Sequence, residues 1–401
     1  MRILQLATKV PYPPKDGGAA GIYIFSEVFS KLGHTVTLLA VNPPKHFISD
    51  DIISEVPAAI QIKAIPVNTN PVWHKALVNL LFQSYPYQIV RFINKDYKAK
   101  LIELLCSQKP EIVQIEGIYM CPYIPVIRKY SNAKILLRAH NVEHILWNDI
   151  AVNEKNSLKR TYLKIQANRL KKYELEQLSK VDGITTVTDY DLGVLVPYTK
   201  LANIKVVPFG LYPLPSEEMV NINLNAIAFI GALDWMPNQE AIVWFLNEAW
   251  PKIFKRFPNL RFHLAGRNAP NHLVSLAQQQ DGVVFHGEVP DSKVFLSQFS
   301  MVIVPLFSGS GIRVKIIEAM QHGKVVIAST KAADGIPAIP GKHLIIADSA
   351  EEFVTAIANL MEHPETITQI SSDAKAFIQE KFNILAIGSE LTDFYKELIH
   401  G

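Results

Sequence analysis

Three charged side chains follow a glycine-rich turn in the segment "FSGSGIRVKIIEAMQHGKVVIAST", residues 307–330. Arg313 and Lys315 bring positive charge to the start of a predicted helix, and Glu318 follows further along it. Free backbone amides and the helix dipole attract an anion at such a start. An ionised carboxylate can accept hydrogen bonds from two hydroxyl groups. The pattern therefore indicates a site for a diphosphate at one end and a ribose diol at the other.

The elements that must position these side chains follow from the hydrophobic pattern around them. The run "MVIVPL" (301–306) predicts a strand, and a helix is predicted from Ile312 to His322, with Gly323 ending it. Glycines after a strand are often only a turn, and a lone glutamate on a helix is most often solvated. Their combination in one strand-to-helix crossover favours a ligand site.

The same strand-to-helix pattern extends along the whole chain, where short β-branched runs alternate with longer amphipathic stretches. This is typical of parallel sheets with crossover helices. Strands are predicted at 2–7, 35–41, 61–68, 111–117, 134–140, 183–188, 226–232, 260–266, 282–289, 301–306, 325–330 and 343–348. A polar, proline-containing stretch at 206–225 predicts a linker between the two series. We expect an α/β protein with two doubly wound Rossmann-like domains facing each other across a cleft, where ligands bind at the strand carboxyl ends.

Composition limits the class of protein. A chain of 401 residues exceeds the size of one hydrophobic core, and 49% hydrophobic residues suffice for two. The net charge of +3 gives no basic footprint for nucleic acid. Cys106 and Cys121 have no metal-ligand spacing and fit a reducing cytoplasm. No apolar run reaches about 18 residues, so we expect a soluble or peripheral protein rather than a membrane-spanning one.

The glycine-rich segment resembles the signature of the retaining glycosyltransferases of family 4, which have the GT-B fold and use nucleotide diphosphate sugars. That signature has two glutamates separated by seven residues. The second matches Glu318, which the resemblance makes a ribose ligand, and the first falls on Ser310. The hydroxyl of Ser310 and the amides of Gly311 and Ile312 are then expected to contact the donor sugar.

Other segments extend the resemblance over essentially the whole chain. In "YPPKDGGAAG", Gly17 and Gly18 are expected in a loop against the donor diphosphate. In "LLRAHNVE", His140 ends a strand and is expected near the donor sugar and the reacting centre. Glu116 in "QIEGIY" and Asn141 are expected on the acceptor side.

Two departures from the family pattern concern phosphate binding. Family members often carry Arg and Lys where "FIGALDWMPNQEA" has Ala232 and Pro237. We expect Arg313 and Lys315 to replace those cations as catalytic groups, with Arg267 of "LAGRN" as a third cation. No Asp-x-Asp pair stands in these segments, so neither a metal nor another cofactor is expected. The donor is expected to be of the UDP or GDP type.

One basic stretch of the sequence is relevant to the kind of acceptor substrate. Residues 153–180 show helical periodicity and carry eight Lys or Arg against three Glu. A basic amphipathic helix can lie on anionic lipid, as a lipid-linked acceptor would require. The alternative, which we weigh more heavily, is a charged outer helix whose apolar side packs on the sheet.

The domain and function predictions combine these points. We expect an acceptor-side domain at 1–205, a nucleotide-sugar domain at 206–380 and a C-terminal helix at 381–401 that crosses back to the first domain. The resemblance implies transfer of a sugar, with retention, to a hydroxyl of a glycan or lipid-linked glycan, as in the sugar transferases of polysaccharide export clusters. A non-catalytic nucleotide-sugar-binding subunit and a nucleotide-sugar epimerase remain alternatives. A dinucleotide-dependent oxidoreductase and a P-loop nucleotidase are set aside because "DGGAAG" and "GSGIRVK" lack the required glycine spacing.

Overall fold

A computed structural model describes residues 1–14, 17–200, 202–214, 223–309 and 311–401. The chain divides into two compact units. Unit 1 consists of Met1–Gly210 and Ile384–Gly401, and unit 2 of Leu211–Asn383. Each unit contains one fully parallel sheet with helices as crossovers, the arrangement of a Rossmann-like domain.

The sheet of unit 1 has seven strands in the order β3-β2-β1-β4-β5-β6-β7. The strands are β1 (Arg2–Ala7), β2 (Thr35–Asn42), β3 (Ile60–Pro66), β4 (Ile112–Glu116), β5 (Lys134–Ala139), β6 (Gly183–Thr186) and β7 (Ile204–Val206). The reversal of strand order beside β1 brings the ends of β1, β4 and β5 to the same edge of the sheet.

The sheet of unit 2 has six strands in the order β10-β9-β8-β11-β12-β13. The strands are β8 (Ala226–Ile230), β9 (Arg261–Ala265), β10 (Val283–Gly287), β11 (Met301–Val304), β12 (Val325–Ala328) and β13 (Ile345–Ile346). Side chains alternate between the two faces of the sheet. In β12, Val325 and Ile327 join the core on one face, and Val326 and Ala328 join the core on the other.

The helices cover these sheets. Those of unit 1 are α1 (Gly17–Lys31), α2 (Asp50–Ser54), α3 (Trp73–Phe82), α4 (Tyr87–Val90), α5 (Lys95–Gln108), α6 (Ile124–Tyr130), α7 (Glu143–Asn153), α8 (Ser157–Leu178), α9 (Asp189–Leu195) and α18 (Ile384–His400). Those of unit 2 are α10 (Met236–Trp244), α11 (Trp250–Arg256), α12 (Asn271–Gln278), α13 (Ser292–Ser297), α14 (Val314–Gln321), α15 (Thr330–Ala333), α16 (Ala350–Glu362) and α17 (Pro364–Lys381).

The prediction of two Rossmann-like α/β domains is confirmed. The short strand β7 was not predicted, because three half-buried residues give too little periodicity. The helix predicted at 312–322 begins later, at Val314. The prediction of one helix over 153–180 is wrong at its start. A new helix begins after Asn156, whose side chain accepts a hydrogen bond of 3.0 Å from the backbone N–H of Lys159.

The C-terminal helix α18 belongs to unit 1 and packs on α1. Gly388 lies so close to Val28 that a Cβ built there would come within 2.6 Å of it. The chain therefore returns to unit 1 after the last helix of unit 2.

Candidate functional site

The glycine-rich turn of unit 2 connects β11 to α14. Gly309 and Gly311 have φ angles of +94° and +79°, which residues with a Cβ rarely adopt. A Cβ on Gly309 would also come within 3.1 Å of the Trp235 ring. Ser310, the expected donor-sugar ligand, lies outside the described residues. The turn therefore adopts positive φ angles at two positions where glycine is favoured.

Lys315 lies in the first turn of α14, and two other elements hold its side chain. Its Nζ donates a hydrogen bond of 2.9 Å to Oδ1 of Asn238 and lies 4.2 Å from the centroid of the Phe229 ring. Asn238 is buried in α10, and its Nδ2 donates a 2.7 Å hydrogen bond to the carbonyl of Ala232. The amide is therefore oriented with its oxygen towards the ammonium group. The side chain of Lys315 is held at the carboxyl end of β8.

The surroundings lower the pKa of Lys315 from 10.5 to about 7. Burial is the main cause, the positive charge of Arg313 adds to it, and the carboxylate of Glu318 opposes it. An anion placed beside this amine would reverse the shift by favouring the ammonium form. Lys315 is thus a cation site whose charge depends on whether an anion is present.

Gly231, directly after β8, makes room for Lys315. A Cβ built on Gly231 would collide with Nζ of Lys315 and would lie 3.0 Å from Nδ2 of Asn238. A glycine at this position is therefore needed for the lysine to keep its place.

Glu318 is half-buried on α14. Burial raises the pKa of its carboxyl group, and the charges of Lys293 and Lys315 counteract part of that effect. None of the residues described in the structure donates a hydrogen bond to this carboxylate. A desolvated carboxylate with unused acceptor positions is suited to a ligand with two hydroxyl groups.

Arg313 differs from the expectation that it reaches a diphosphate. Its side chain is buried, and its two terminal nitrogens donate to the carbonyls of Gly311 and Ser308. The guanidinium also lies 5.9 Å from the Trp235 ring centroid. These carbonyls belong to the glycine-rich turn, so Arg313 stabilises the turn and contributes positive charge near Lys315 rather than projecting into open space.

The remaining predicted residues of unit 2 lie around the same sheet edge. Arg267 follows β9, which pairs with β8, and its half-buried side chain forms no hydrogen bond or ion pair with a described residue. Ile312 is half-buried and packs against the core on one face of the sheet. The Ala232 carbonyl orients Asn238, and Pro237 lies in the first turn of α10.

In unit 1, His140 and Glu116 form a hydrogen-bonded pair at the ends of β5 and β4. Nε2 of His140 lies 2.7 Å from Oε2 of Glu116, and NH1 of Arg138 lies 3.5 Å from the same oxygen. His140 is 23% exposed at its side chain, whereas the side chains of Glu116 and Arg138 are buried. The prediction that Glu116 faces an acceptor is wrong in this structure, because its carboxylate is fully enclosed by residues of its own unit.

The directions of the two pKa shifts indicate the protonation state of this pair. Burial would raise the pKa of Glu116, but the hydrogen bond from His140 and the charge of Arg138 lower it below its ordinary value. Burial lowers the pKa of His140, although Glu116 acts in the opposite direction. The carboxylate is therefore ionised and can only accept, so a neutral His140 donates from Nε2. Its Nδ1 is left as an acceptor.

A network of buried polar side chains surrounds Glu116 and reaches α18. Its Oε1 accepts hydrogen bonds from Nε2 of Gln5, at 3.2 Å, and from Nε2 of Gln114. Oε1 of Gln114 accepts from the hydroxyl of Tyr395. The members of the network are Gln5, Ser26, Gln114, Glu116, Arg138, His140 and Tyr395. The His140 ring is thus held by side chains from β1, β4, β5 and the last helix.

Asn141 and the two predicted loop glycines have other surroundings. The half-buried Asn141 follows β5, and its side chain hydrogen-bonds the carboxyl group of Glu143. Burial raises the pKa of Glu143 to about 7, and Tyr119 donates to it at 2.6 Å. Gly17 and Gly18 do not form a loop, because both lie in the exposed first turn of α1.

Within the described ranges, no group of three or more His, Cys, Asp or Glu side chains could hold a metal ion. No helix within the same ranges has the length and hydropathy needed to span a bilayer.

The part of the chain that contains Lys315 and Glu318 is similar to a known protein family. Residues 225–363 match the family described as Glycosyl transferases group 1. A relative from Klebsiella pneumoniae, named "Uncharacterized 44.6 kDa protein in cps region", is 21% identical over 419 residues, covering 97% of this chain and 98% of the relative.

Several solved structures share the fold of this chain. Sucrose-phosphate synthase of Thermosynechococcus elongatus has a TM-score of 0.71 at 16% identity and covers 99% of each chain. HepE of Anabaena, solved in complex with UDP-glucose, has a TM-score of 0.65 at 14% identity, covering 99% of this chain and 100% of that chain. The two Rossmann-like α/β domains of this chain thus match the GT-B fold.

Several residues around these sites were not predicted from the sequence. Asn238 and Trp235 were read only as part of a motif, because their partners Lys315 and Arg313 lie far along the chain. A signal for the unit 1 network was present in "IVQIE", where Gln114 and Glu116 interrupt an apolar strand. A polar side chain in a strand buried on both faces needs a partner.

Proposed function

We propose that the protein is a retaining glycosyltransferase of family 4 that transfers a sugar from a nucleoside diphosphate sugar to a hydroxyl group. The most direct support is that α14 carries both a cation, which can bind phosphate, and a carboxylate, which can bind hydroxyl groups. Lys315 is held by Asn238, whereas Glu318 keeps unused hydrogen-bond acceptors. The resemblance to family 4 supplies the retaining stereochemistry.

Each group then has a separate task. Lys315 and the free amides at the start of α14 bind the diphosphate. Glu318 accepts hydrogen bonds from the ribose hydroxyls. Arg313 keeps the turn in shape through its bonds to Gly311 and Ser308, and its charge adds to the positive potential.

The main requirement for catalysis is that the negative charge of the leaving diphosphate is stabilised. The bond between the anomeric carbon and the diphosphate oxygen breaks, a bond to the acceptor oxygen forms, and the acceptor proton leaves with the diphosphate. Negative charge grows on the leaving diphosphate as the sugar becomes oxocarbenium-like. A cation held in place before the reaction stabilises that charge, and losing one such donor costs about 3 kcal/mol in comparable sites.

His140 is proposed to bind the sugar that is transferred. Its Nε2–H is used by Glu116, so Nδ1 can accept a hydrogen bond from a sugar hydroxyl. A neutral ring hydrogen-bonded to a buried carboxylate also keeps a fixed orientation, because Gln5, Gln114 and Arg138 hold that carboxylate in place.

The donor and acceptor are proposed by class. UDP or GDP is the nucleotide carrier, and the UDP-glucose complex of HepE supports the first. The acceptor is a glycan or lipid-linked glycan of a polysaccharide export system, which is in keeping with the name of the Klebsiella relative. No metal or other cofactor is included in the proposal, because Lys315 and backbone amides supply the positive charge.

Thermal unfolding with nucleotides tests the proposal without knowledge of the acceptor. UDP, GDP, ADP, dTDP, CMP and NAD would each be added far above a micromolar Kd. A ligand at about 100 times its Kd stabilises by roughly 2.7 kcal/mol, which raises Tm by several degrees. A shift with UDP or GDP and none with NAD is expected. A shift with NAD alone would contradict the proposal.

A second function, binding of a nucleotide sugar without transfer, is favoured by Ala232 and Pro237. They occupy positions where family 4 members often carry phosphate-binding cations. Release of UDP or GDP from the matching nucleotide sugar in the presence of a polysaccharide acceptor would exclude this second function. Tight binding of the nucleotide sugar with no release under those conditions would favour it.

A further inference from the structure

Helix α3 in unit 1 has its apolar side outward. Its one buried residue is Asn79, which is 2% exposed, whereas Trp73 and Phe82 are 79% and 80% exposed. Leu77 and Leu81 are also exposed, at four-residue spacing from Trp73. An ordinary surface helix buries its apolar side and exposes its polar side. The arrangement in α3 costs free energy in water unless another phase covers these side chains.

Polar contacts with α8 hold α3 in this orientation. Nε2 of Gln166 donates a 3.1 Å hydrogen bond to Oδ1 of Asn79. Arg169 donates from NH1 and NH2 to the carbonyls of Asn79 and Leu80, at 3.1 and 2.8 Å. These bonds satisfy carbonyls near the carboxyl end of α3. The outward apolar side is therefore built into the packing.

Helix α8 extends the apolar area. Leu158 is 84% exposed, and Ile165 and Lys172 follow at intervals of seven residues, which places all three on one face of the helix. Arg169, which bonds α3, lies one turn beyond Ile165. We call the exposed apolar set on both helices the α3–α8 surface; it consists of Trp73, Leu77, Val78, Leu81, Phe82, Leu158 and Ile165.

The sequence stretches that contain α3 and most of α8 carry charge of one sign. The sequence has no Asp or Glu from residue 56 to 95, which includes all of α3, and none from 155 to 173. The same stretches carry many cations, among them the exposed Lys75 and Lys172. Apolar and aromatic side chains among cations are typical of proteins that lie in the interface of an anionic bilayer.

We propose that the α3–α8 surface docks on an anionic lipid bilayer, with Trp73 and Phe82 inserted at headgroup depth and lysines contacting the headgroups. This goes beyond the proposed reaction and is tested by binding alone. A second copy of this chain fits less well, because a self-complementary contact would bring two sets of cations together. An anionic bilayer can cover the apolar side chains and also place negative headgroups beside the lysines.

Vesicle co-sedimentation tests the proposal with the full chain. We expect the protein to sediment with vesicles of mixed phosphatidylglycerol and phosphatidylcholine at low salt, and to stay in solution with phosphatidylcholine alone. The variant Trp73→Ser/Phe82→Ser should lose at least about tenfold in partitioning. Lys75→Glu/Lys172→Glu should lose roughly fivefold per lysine. Because all four side chains are exposed, the Tm of both variants should match that of the wild type.

Matched controls lie on unit 2. Val294→Ser/Ile339→Ser removes two exposed apolar side chains, and Lys255→Glu/Lys342→Glu reverses two exposed charges. Both should bind vesicles like the wild type. Absence of wild-type binding to the anionic vesicles would overturn the proposal, and so would unchanged binding of Trp73→Ser/Phe82→Ser. A wild-type dimer that this variant converts to a monomer, with no vesicle binding, would assign the surface to a second copy instead.

Discussion

Nζ of Lys315 and Oδ1 of Asn238 lie 2.9 Å apart, although 77 residues separate them in the chain. This hydrogen bond joins the start of α14 to α10, and the Ala232 carbonyl fixes the direction of the amide. The lysine is thus held in place before any ligand arrives. A preorganised cation of this kind loses little further freedom when it binds an anion.

The fit between Gly231 and Lys315 predicts the effect of one added methyl group. Gly231→Ala should displace Nζ, since a Cβ there collides with it. We expect the affinity for UDP or GDP to fall at least about tenfold, which corresponds to about 1.4 kcal/mol. Isothermal titration calorimetry measures this directly.

Gly193→Ala is the control for the glycine substitution, because a Cβ at Gly193 meets no atom within 4 Å. This variant should bind the nucleotide like the wild type. If Gly231→Ala also bound like the wild type, with its fold intact, Lys315 would not need the space that glycine leaves, and the assignment of the cation would be in doubt.

Nucleotide affinity should depend on pH through Lys315. Its pKa is about 7 in the free protein, and a bound diphosphate restores the ammonium form, so binding takes up a proton above pH 7. Affinity should then fall by up to about tenfold per pH unit above that value. Lys315→Arg keeps its charge throughout and should show no such slope. A flat wild-type profile over that range would contradict this assignment.

The contribution of Lys315 to folding stability should change with pH in the direction opposite to nucleotide affinity. The pKa of Lys315 is lowered from 10.5 to about 7 in the folded state, so the unfolded chain binds more protons between these values. The contribution of this lysine to the free energy of unfolding therefore rises with pH across that window. Urea unfolding of the wild type and Lys315→Met should show a difference that changes with this sign; a pH-independent difference would mean that the lysine is not desolvated.

Glu116 is predicted to be needed for stability as well as for orienting His140. Glu116→Gln leaves the charge of Arg138 buried without its carboxylate, which should lower the free energy of unfolding by about 3–5 kcal/mol. The exposed Glu103, paired with Lys100, is the control, and Glu103→Gln should cost less than about 1 kcal/mol. Equal effects in urea unfolding would contradict the buried pair.

The pH dependence of the Glu116 contribution follows from its lowered pKa. The stabilisation is present above the ordinary carboxyl pKa of 4.5 and is lost as pH falls through the lower value of the folded protein. The difference in stability between the wild type and Glu116→Gln should therefore shrink in acid. A difference that grows as pH falls would have the wrong sign for an ionised Glu116.

The fold was predictable because its signal is local. Each buried strand is a short β-branched run, and the run "VVIA" of β12 supplies both cores by alternation alone. The turn before α14 was equally readable, since Gly309 and Gly311 mark it in the sequence. Strand periodicity and turn chemistry need no knowledge of distant residues.

The partners of the site residues were not predictable in the same way. Nothing in the sequence near Lys315 indicates Asn238, and nothing near Gln114 indicates Tyr395, because these contacts depend on three-dimensional packing. The surroundings of Arg313 and Glu116 differ from those expected for a related reason. Their residue types suit ligand binding, but local carbonyls and buried side chains use their hydrogen-bonding groups first.

The most direct test measures the affinities of UDP and GDP for the wild type, Lys315→Met and Glu318→Ala by calorimetry. For whichever nucleotide binds, each variant should weaken the affinity about tenfold or more, since each loses charge-assisted hydrogen bonds. The matching nucleoside, which lacks phosphate, should bind more weakly to Glu318→Ala but unchanged to Lys315→Met. Surface controls Glu248→Ala and Lys255→Met should behave like the wild type. Wild-type nucleotide affinity in both Glu318→Ala and Lys315→Met would contradict the account.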